Sequence, residues 1–246
     1  MKIGIFDSGV GGLTVLKKIL EEKPKNEYLY FGDTIHLPYG NKTKEELRTY
    51  AQTIIQFFEE QNVDQIIVAC GTVSSTLDGE LKAVVPLLDV MNPTVRYLKD
   101  QHVNSVGLIA TERTIEGKIF ENKLRQEGIQ VSAVACPMFV PLIEMRRQDS
   151  KECQQAIQDC IRKLNPGIQQ LILGCTHYPL LEAQLQKVLA CPTFNMATPI
   201  SKQIEEGTTA SIHLYFSYLD ETIKENVEHI LGKEVPIEEY ALKNNA

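Results

Sequence analysis

Two cysteines sit in matched settings. Cys70 follows the apolar run Ile66-Ile67-Val68 and precedes Gly71-Thr72, while Cys175 follows Leu171-Ile172-Leu173-Gly174 and precedes Thr176-His177. Each run has the length of a buried strand, and each gives way to the start of a helical pattern. A thiol at a helix start meets free N–H groups and the positive end of the helix dipole, which favour the thiolate. The threonines beside the cysteines can cap a helix or offer a hydroxyl to a carboxylate. One such cysteine is ordinary, because buried cysteines are common. Two at the same point of a repeated strand–Cys–Thr–helix unit describe two similar α/β halves aiming their thiols at a shared cleft. Acyl transfer needs only one nucleophile, and a disulfide exchanger keeps its thiols close in sequence or well exposed. Opposed thiols suit two-base racemisation, in which one takes a proton from carbon and the other gives a proton to the opposite face. His177 can tune or reprotonate Cys175, and Asp7 can act likewise near Cys70. A carboxylate raises a thiol's pKa, so the helix terminus has to offset it.

The elements that must hold these residues follow from periodicity. Lys2 to Phe6 reads as a buried strand, Asp7-Ser8-Gly9-Val10-Gly11-Gly12 as a turn, and Leu13, Leu16, Ile19 and Leu20 as the inner face of a helix. The spacing is neither a dinucleotide fingerprint, since Thr14 stands where a third glycine belongs, nor a Walker loop. Its glycines would let the backbone approach a ligand, or the turn is simply tight, with Asp7 or Ser8 capping the helix. Further strands are expected at Tyr28 to Phe31, Asp64 to Ala69 and Leu87 to Val90. Thr43 caps a helix running to about Gln61. From about Pro93 the rhythm restarts, with strands at Ser105 to Ile109, Gln130 to Val134, Leu171 to Leu173 and Thr193 to Met196. One helix is predicted over Thr114 to Gln126 and another over Lys151 to Lys163, where Cys153 and Cys160 share a core-facing side. A strand at Ser211 to Phe216, a helix at Asp220 to Leu231 and a polar tail close the chain. Strands alternating with helices imply mostly parallel sheets covered on both faces. Ligands then sit beyond the carboxyl ends of the strands, where Asp7, Asp33, Cys70 and Cys175 fall.

Composition narrows the class. The chain has 246 residues, 43% hydrophobic and 23% charged, with a formal net charge of -7. That suits a globular protein with a sizeable core and provides no concentrated basic face for nucleic acid. The six cysteines form no C-x-x-C pair, which argues against a zinc ribbon or a thioredoxin-like site. No apolar run is long enough for a signal peptide or a membrane span. A cytoplasmic protein with free thiols is the expectation.

The segments Ile3 to Gly12 (IGIFDSGVGG), Gly32-Asp33-Thr34, Pro38-Tyr39-Gly40, Val68 to Thr72, Thr111 to Ile115 (TERTI), Phe139 to Glu144 (FVPLIE) and Leu173 to Leu181 (LGCTHYPLL) span nearly the whole chain. In this order they resemble the aspartate/glutamate racemase family, and the first and last are most similar to its glutamate branch. The resemblance implies two α/β domains related by a pseudo-twofold axis, residues 1–93 with 206–246 and residues 94–205, with the site in the cleft between them. It implies Cys70 and Cys175 as the acid/base pair, Cys70 serving the D-isomer and Cys175 the L-isomer. Asp7, Asp33, Glu144 and His177 would support them. Asp7, Ser8, Tyr39, Gly40, Gly71, Thr72, Thr176 and His177 would hold the substrate, glutamate. No cofactor or metal is implied, and the product D-glutamate would feed peptidoglycan synthesis and so cell-wall biogenesis and cell shape. A homodimer without nucleic-acid or membrane partners is the expectation.

The chain departs from that family at three places. Gly71 stands where the family usually has Asn, Ile35-His36-Leu37 lacks its usual Arg, and Asn195-Met196-Ala197 replaces its usual Asp-Ser. These changes bear on which acid fits and leave the two-thiol chemistry intact. An aspartate or other amino-acid racemase of the same family is the nearest alternative, and a catalytically silent binding or regulatory homologue is a second. His36, His102, His213 and His229 read as surface or internally satisfied histidines.

Overall fold

Parallel strands buried on both faces require near-continuous apolar runs, and the chain supplies them in alternation with amphipathic helices. In the computed structural model, which describes residues 1–242, the first half runs β1 (Lys2–Asp7), α1 (Leu13–Glu22), β2 (Glu27–Gly32), α2 (Lys44–Glu60), β3 (Gln65–Val68), α3 (Gly71–Thr76), β4 (Leu87–Asp89) and α4 (Met91–Asp100). The second runs β5 (Ser105–Ala110), α5 (Glu112–Gly117), α6 (Ile119–Gln126), β6 (Gln130–Ala135), α7 (Phe139–Glu144), α8 (Lys151–Ile161), β7 (Gln170–Leu173), α9 (Glu182–Gln186), β8 (Thr193–Asn195) and α10 (Ala197–Ser201). The chain then adds β9 (Ser211–Phe216), α11 (Glu221–Leu231) and β10 (Ile237–Glu239). Residues 243–246 of the expected C-terminal return lie outside the described residues.

Every strand pairing is parallel. One sheet has the order β10-β9-β2-β1-β3-β4 and the other β6-β5-β7-β8. The order β2-β1-β3-β4 of the first recurs as β6-β5-β7-β8 in the second, so β3 and β7 occupy equivalent places. That equivalence puts Cys70 and Cys175 at the same point of each sheet. One core cluster joins the halves, with Ile3, Ile5 and Ile67 of the first in the same packed group as Val106, Leu108 and Ile172 of the second. The outer face of each sheet has its own cluster, under α2 in the first half and under α7 and α8 in the second.

Local chemistry accounts for most boundaries. Thr43 and Glu46 form a reciprocal capping box at the start of α2, with the Thr43 N–H donating to the Glu46 carboxylate at 2.7 Å. Asp220 accepts from the Ile223 N–H at 2.8 Å to start α11, and Gly232 ends it at φ 70°. The helix predicted as one piece over Thr114 to Gln126 is two, because Lys118 takes a left-handed backbone (φ 56°) after the weak helix former Gly117. The helix expected directly after Cys175 begins as a tight turn, Tyr178–Leu181, containing Pro179. The polar tail holds the short strand β10 on the sheet edge, where charged residues are favoured and the apolar signal is weak.

The cysteines are not all free thiols. Cys136, just after β6, is bonded to Cys160 of α8, their Cα atoms 6.3 Å apart, within the span a disulfide bridges. Cys70, Cys153, Cys175 and Cys191 are free. Cys153 is fully buried in the core, as its helical position implies.

Candidate active site

Cys70 is the residue from which α3 starts, and Cys175 stands two residues beyond β7. Both are buried, and both line one cavity of about 240 Å³ between the halves. Of the other residues expected at the site, Ser8, Tyr39, Gly40, Thr72, Thr176 and His177 also line it. Asp7, Asp33, Glu144 and Gly71 stand behind that lining, each against a residue that forms part of it or flanks it.

Asp7 is buried at the end of β1. Its carboxylate accepts from the Gly12 N–H at 2.7 Å and from the Thr176 hydroxyl at 3.3 Å, so it ties the Gly-rich turn to the opposite half. Thr14, on α1, donates to the Thr176 carbonyl at 2.8 Å and adds a second tie. Asp33, just beyond β2, accepts from Tyr39 at 2.6 Å, from Ser217 at 2.9 Å and contacts the His36 Nδ1 at 2.8 Å. Three partners on one buried carboxylate fix the loop that presents Tyr39 and Gly40 to the cavity. His36 is thus an internally satisfied histidine, stacked on Tyr50 at 3.9 Å, while His102, His213 and His229 are exposed.

The Gly-rich turn does make a close approach, but to protein. A Cβ on Gly11 would lie 2.3 Å from the Nδ1 of His177, so the missing side chain is where that imidazole packs. The ring also bridges two groups of its own half. Its Nε2 lies 2.6 Å from the Glu144 carboxylate, and its Nδ1 lies 3.8 Å from the Cys175 sulfur.

The electrostatics differ between the two sides. Burial pushes the Cys70 thiol well above its ordinary value, and the Asp7 charge adds to this, while the backbone N–H groups of Val73 and Thr72 offset only part. Cys70 therefore holds a proton at neutral pH. Burial of His177 opposes its charge, but its bonds to Cys175 and Glu144 outweigh that and raise it well above the usual histidine range. A charged His177 donates one N–H to Glu144 and points the other at the Cys175 sulfur, where it can return a proton.

Sequence reasoning gave no site role to Thr111, Glu112, Cys136 or Val140, which also line the cavity. The Thr111 hydroxyl lies 3.0 Å from that of Thr72 and 3.1 Å from that of Thr114, so it links the halves across the cleft. The signal was available: Thr111 follows β5 as Asp7 ends β1, and ligands gather at such strand ends. Cys136 and Val140 carry no such mark, since a disulfide partner and an apolar lining residue both read as core.

Two equivalent parallel sheets, each followed by a buried thiol that lines the cavity between them, define a two-domain α/β protein. A model of the Asp/Glu/hydantoin racemase family matches residues 5–199, and the chain belongs to that family. It is 37% identical over 252 residues to glutamate racemase 2 of Caldanaerobacter subterraneus subsp. tengcongensis, covering 95% of this chain and 94% of that protein. The crystal structure of glutamate racemase from Francisella tularensis subsp. tularensis SCHU S4 in complex with D-glutamate superimposes with a TM-score of 0.89 at 27% identity, covering 98% of this chain and 97% of that one. Glutamate racemase from Aquifex pyrophilus superimposes with a TM-score of 0.84 at 34% identity, covering 97% and 98%.

Proposed function

We propose that this protein is a glutamate racemase that interconverts L- and D-glutamate with Cys70 and Cys175 as opposed acid and base. The observation that carries the reading is the placement of two buried thiols after equivalent strands, both facing one cavity. In the direction from L to D, the Cys175 thiolate takes the Cα proton, and Cys70, which holds its proton at neutral pH, delivers one to the opposite face. The reverse direction exchanges the roles. The hydroxyls of Ser8 and Thr72 are the donors to the substrate carboxylates, with Thr176, whose hydroxyl donates to Asp7, lining the same wall, while Asp7 and the Glu144–His177 pair hold and replenish the protons. Glutamate is favoured as substrate by the names of the relatives, and D-glutamate would be consumed in peptidoglycan synthesis. The return of the chain to the first domain at 205/206 is supported by β9 joining the first sheet after the second is complete, whereas the other boundary, at 93/94, falls inside α4. A cytoplasmic homodimer is the accompanying expectation; no helix among the described residues is long and apolar enough to cross a membrane.

The test is Cα exchange. Purified protein with L-glutamate in deuterated water, reductant present and no cofactor added, is followed by proton NMR and circular dichroism. Loss of the Cα proton together with optical activity supports the reading, and a parallel run with aspartate separates the two acids. Cys70→Ser and Cys175→Ser are each expected to slow racemisation by about 10²–10⁴-fold. Absence of exchange with every acidic amino acid would remove the racemase reading and favour a silent homologue.

A further inference from the structure

Thr14 stands on α1 of the first half, yet its hydroxyl serves the second. It donates to the Thr176 carbonyl at 2.8 Å, and both residues are buried. The need for that donor comes from Pro179. A tight turn of this kind satisfies a carbonyl with the N–H three residues on. Around Tyr178–Leu181, Tyr178 donates to the Cys175 carbonyl at 3.0 Å and Leu180 to the His177 carbonyl at 3.0 Å. The carbonyl between them, that of Thr176, falls to Pro179, which has no N–H. A buried carbonyl left without a donor is destabilising, so its partner has to come from elsewhere. The Thr14 hydroxyl is that partner. The Thr176 side chain is held from the same half, because its hydroxyl donates to the Asp7 carboxylate at 3.3 Å. Thr176 is thus gripped at its carbonyl and its hydroxyl, and it is the residue that joins Cys175 to His177.

We propose that Thr14 is a positioning residue for proton transfer at Cys175: its hydroxyl supplies the donor that Pro179 lacks and so fixes the peptide between that thiol and His177. The inference rests on the two-thiol reading above. Thr14 stands outside the lining of the cavity, so removing its hydroxyl takes no contact from the substrate. The peptide it held is then free to turn, and the sulfur and the imidazole on either side of it lose their alignment. Misplacement on the ångström scale costs a proton transfer up to about 10²-fold.

Isotope effects at Cα report the two transfers separately. Raising the Cys175 barrier alone makes abstraction from L-glutamate more fully rate-limiting and abstraction from D-glutamate, which falls to Cys70, less so. Wild type, Thr14→Val and Thr14→Ser are compared on kcat/KM with each enantiomer, protiated and deuterated at Cα. Thr14→Val is expected to fold and to lose about 10- to 100-fold in kcat/KM, equally for the two enantiomers because their equilibrium constant is one, while Thr14→Ser keeps the hydroxyl and stays within about threefold of wild type. In Thr14→Val the isotope effect should rise with L-glutamate and fall with D-glutamate. Glu144→Gln, which reaches Cys175 through His177, is the reference and must move the pair in the same sense. If Thr14→Val does not fold, Thr14→Ala removes the same hydroxyl without placing a methyl against the carbonyl, and the same shifts are expected. Wild-type rates without the hydroxyl, or a loss of rate with both isotope effects unchanged or moved against those of Glu144→Gln, overturn the inference and leave the racemase reading standing. Wild-type protein that exchanges no acidic amino acid overturns the reading itself.

Discussion

Cys70 keeps its proton further up the pH scale than an ordinary thiol, because burial strips water from the sulfur and Asp7 faces it. A two-thiol relay works only while one thiol is charged and the other protonated, so activity falls on the alkaline side when the second proton leaves. That limb should therefore lie above the ordinary thiol value of about 8.5. Asp7→Asn removes the neighbouring charge but not the burial, and should bring the limb part of the way down. The check is kcat/KM against pH for wild type and variant, and the two enantiomers must give the same profile because their equilibrium constant is one. An unmoved limb in Asp7→Asn would assign the shift to burial alone. His177 depends likewise on its neighbour. Glu144→Gln withdraws the carboxylate 2.6 Å from the ring, so the ring should titrate lower by nitrogen NMR and kcat should fall about 10- to 100-fold. Retained titration at the wild-type pH would place the support of His177 elsewhere.

At the scale of elements, the strand ends carry the site. Asp7, Asp33, Cys70 and Cys175 were legible in the sequence because a short apolar run ending in a polar residue marks the carboxyl edge of a parallel sheet. The capping box at Thr43 was legible for the same kind of local reason. What was not legible depends on contacts between the halves. That Gly11 makes room for His177, or Gly71 for a carbonyl, is decided by residues distant in sequence, and the local pattern admits a ligand equally well. The Cys136–Cys160 bond was invisible for a related reason: α8 meets the end of β6 only in the folded second half, and a single chain does not announce its pairings. The bond is directly countable. Protein purified without reductant and unfolded in denaturant should titrate four thiols, corresponding to the free cysteines, and all six after reduction. Six in both states would show Cys136 and Cys160 to be reduced.

At the scale of the whole molecule, the two halves share a core cluster but meet around a cleft in which the titratable groups are held away from water. Cys70 and His177, both raised in the cleft, act on stability with the same sign. The folded Cys70 keeps a proton that the unfolded chain releases above about pH 8.5, so the folded state binds more protons there and stability falls as pH rises. His177, raised above its ordinary value of about 6.5, contributes fully below that pH, and its contribution is lost as pH climbs through the folded value. The molecule should therefore be most stable on the neutral-to-acid side of the thiol range and weaken steadily above it. The Cys70 part amounts to about 1.4 kcal/mol for each pH unit once the unfolded thiol is ionised. Urea unfolding at pH 8.5 and 9.5 should show wild type losing about 1 kcal/mol more than Cys70→Ser over the interval, because the unfolded thiol is only half ionised at its start and serine does not titrate there. Equal losses in the two proteins would mean that Cys70 ionises as readily in the folded cleft as in the unfolded chain, and the acid assigned to it at neutral pH would have to be found in another group.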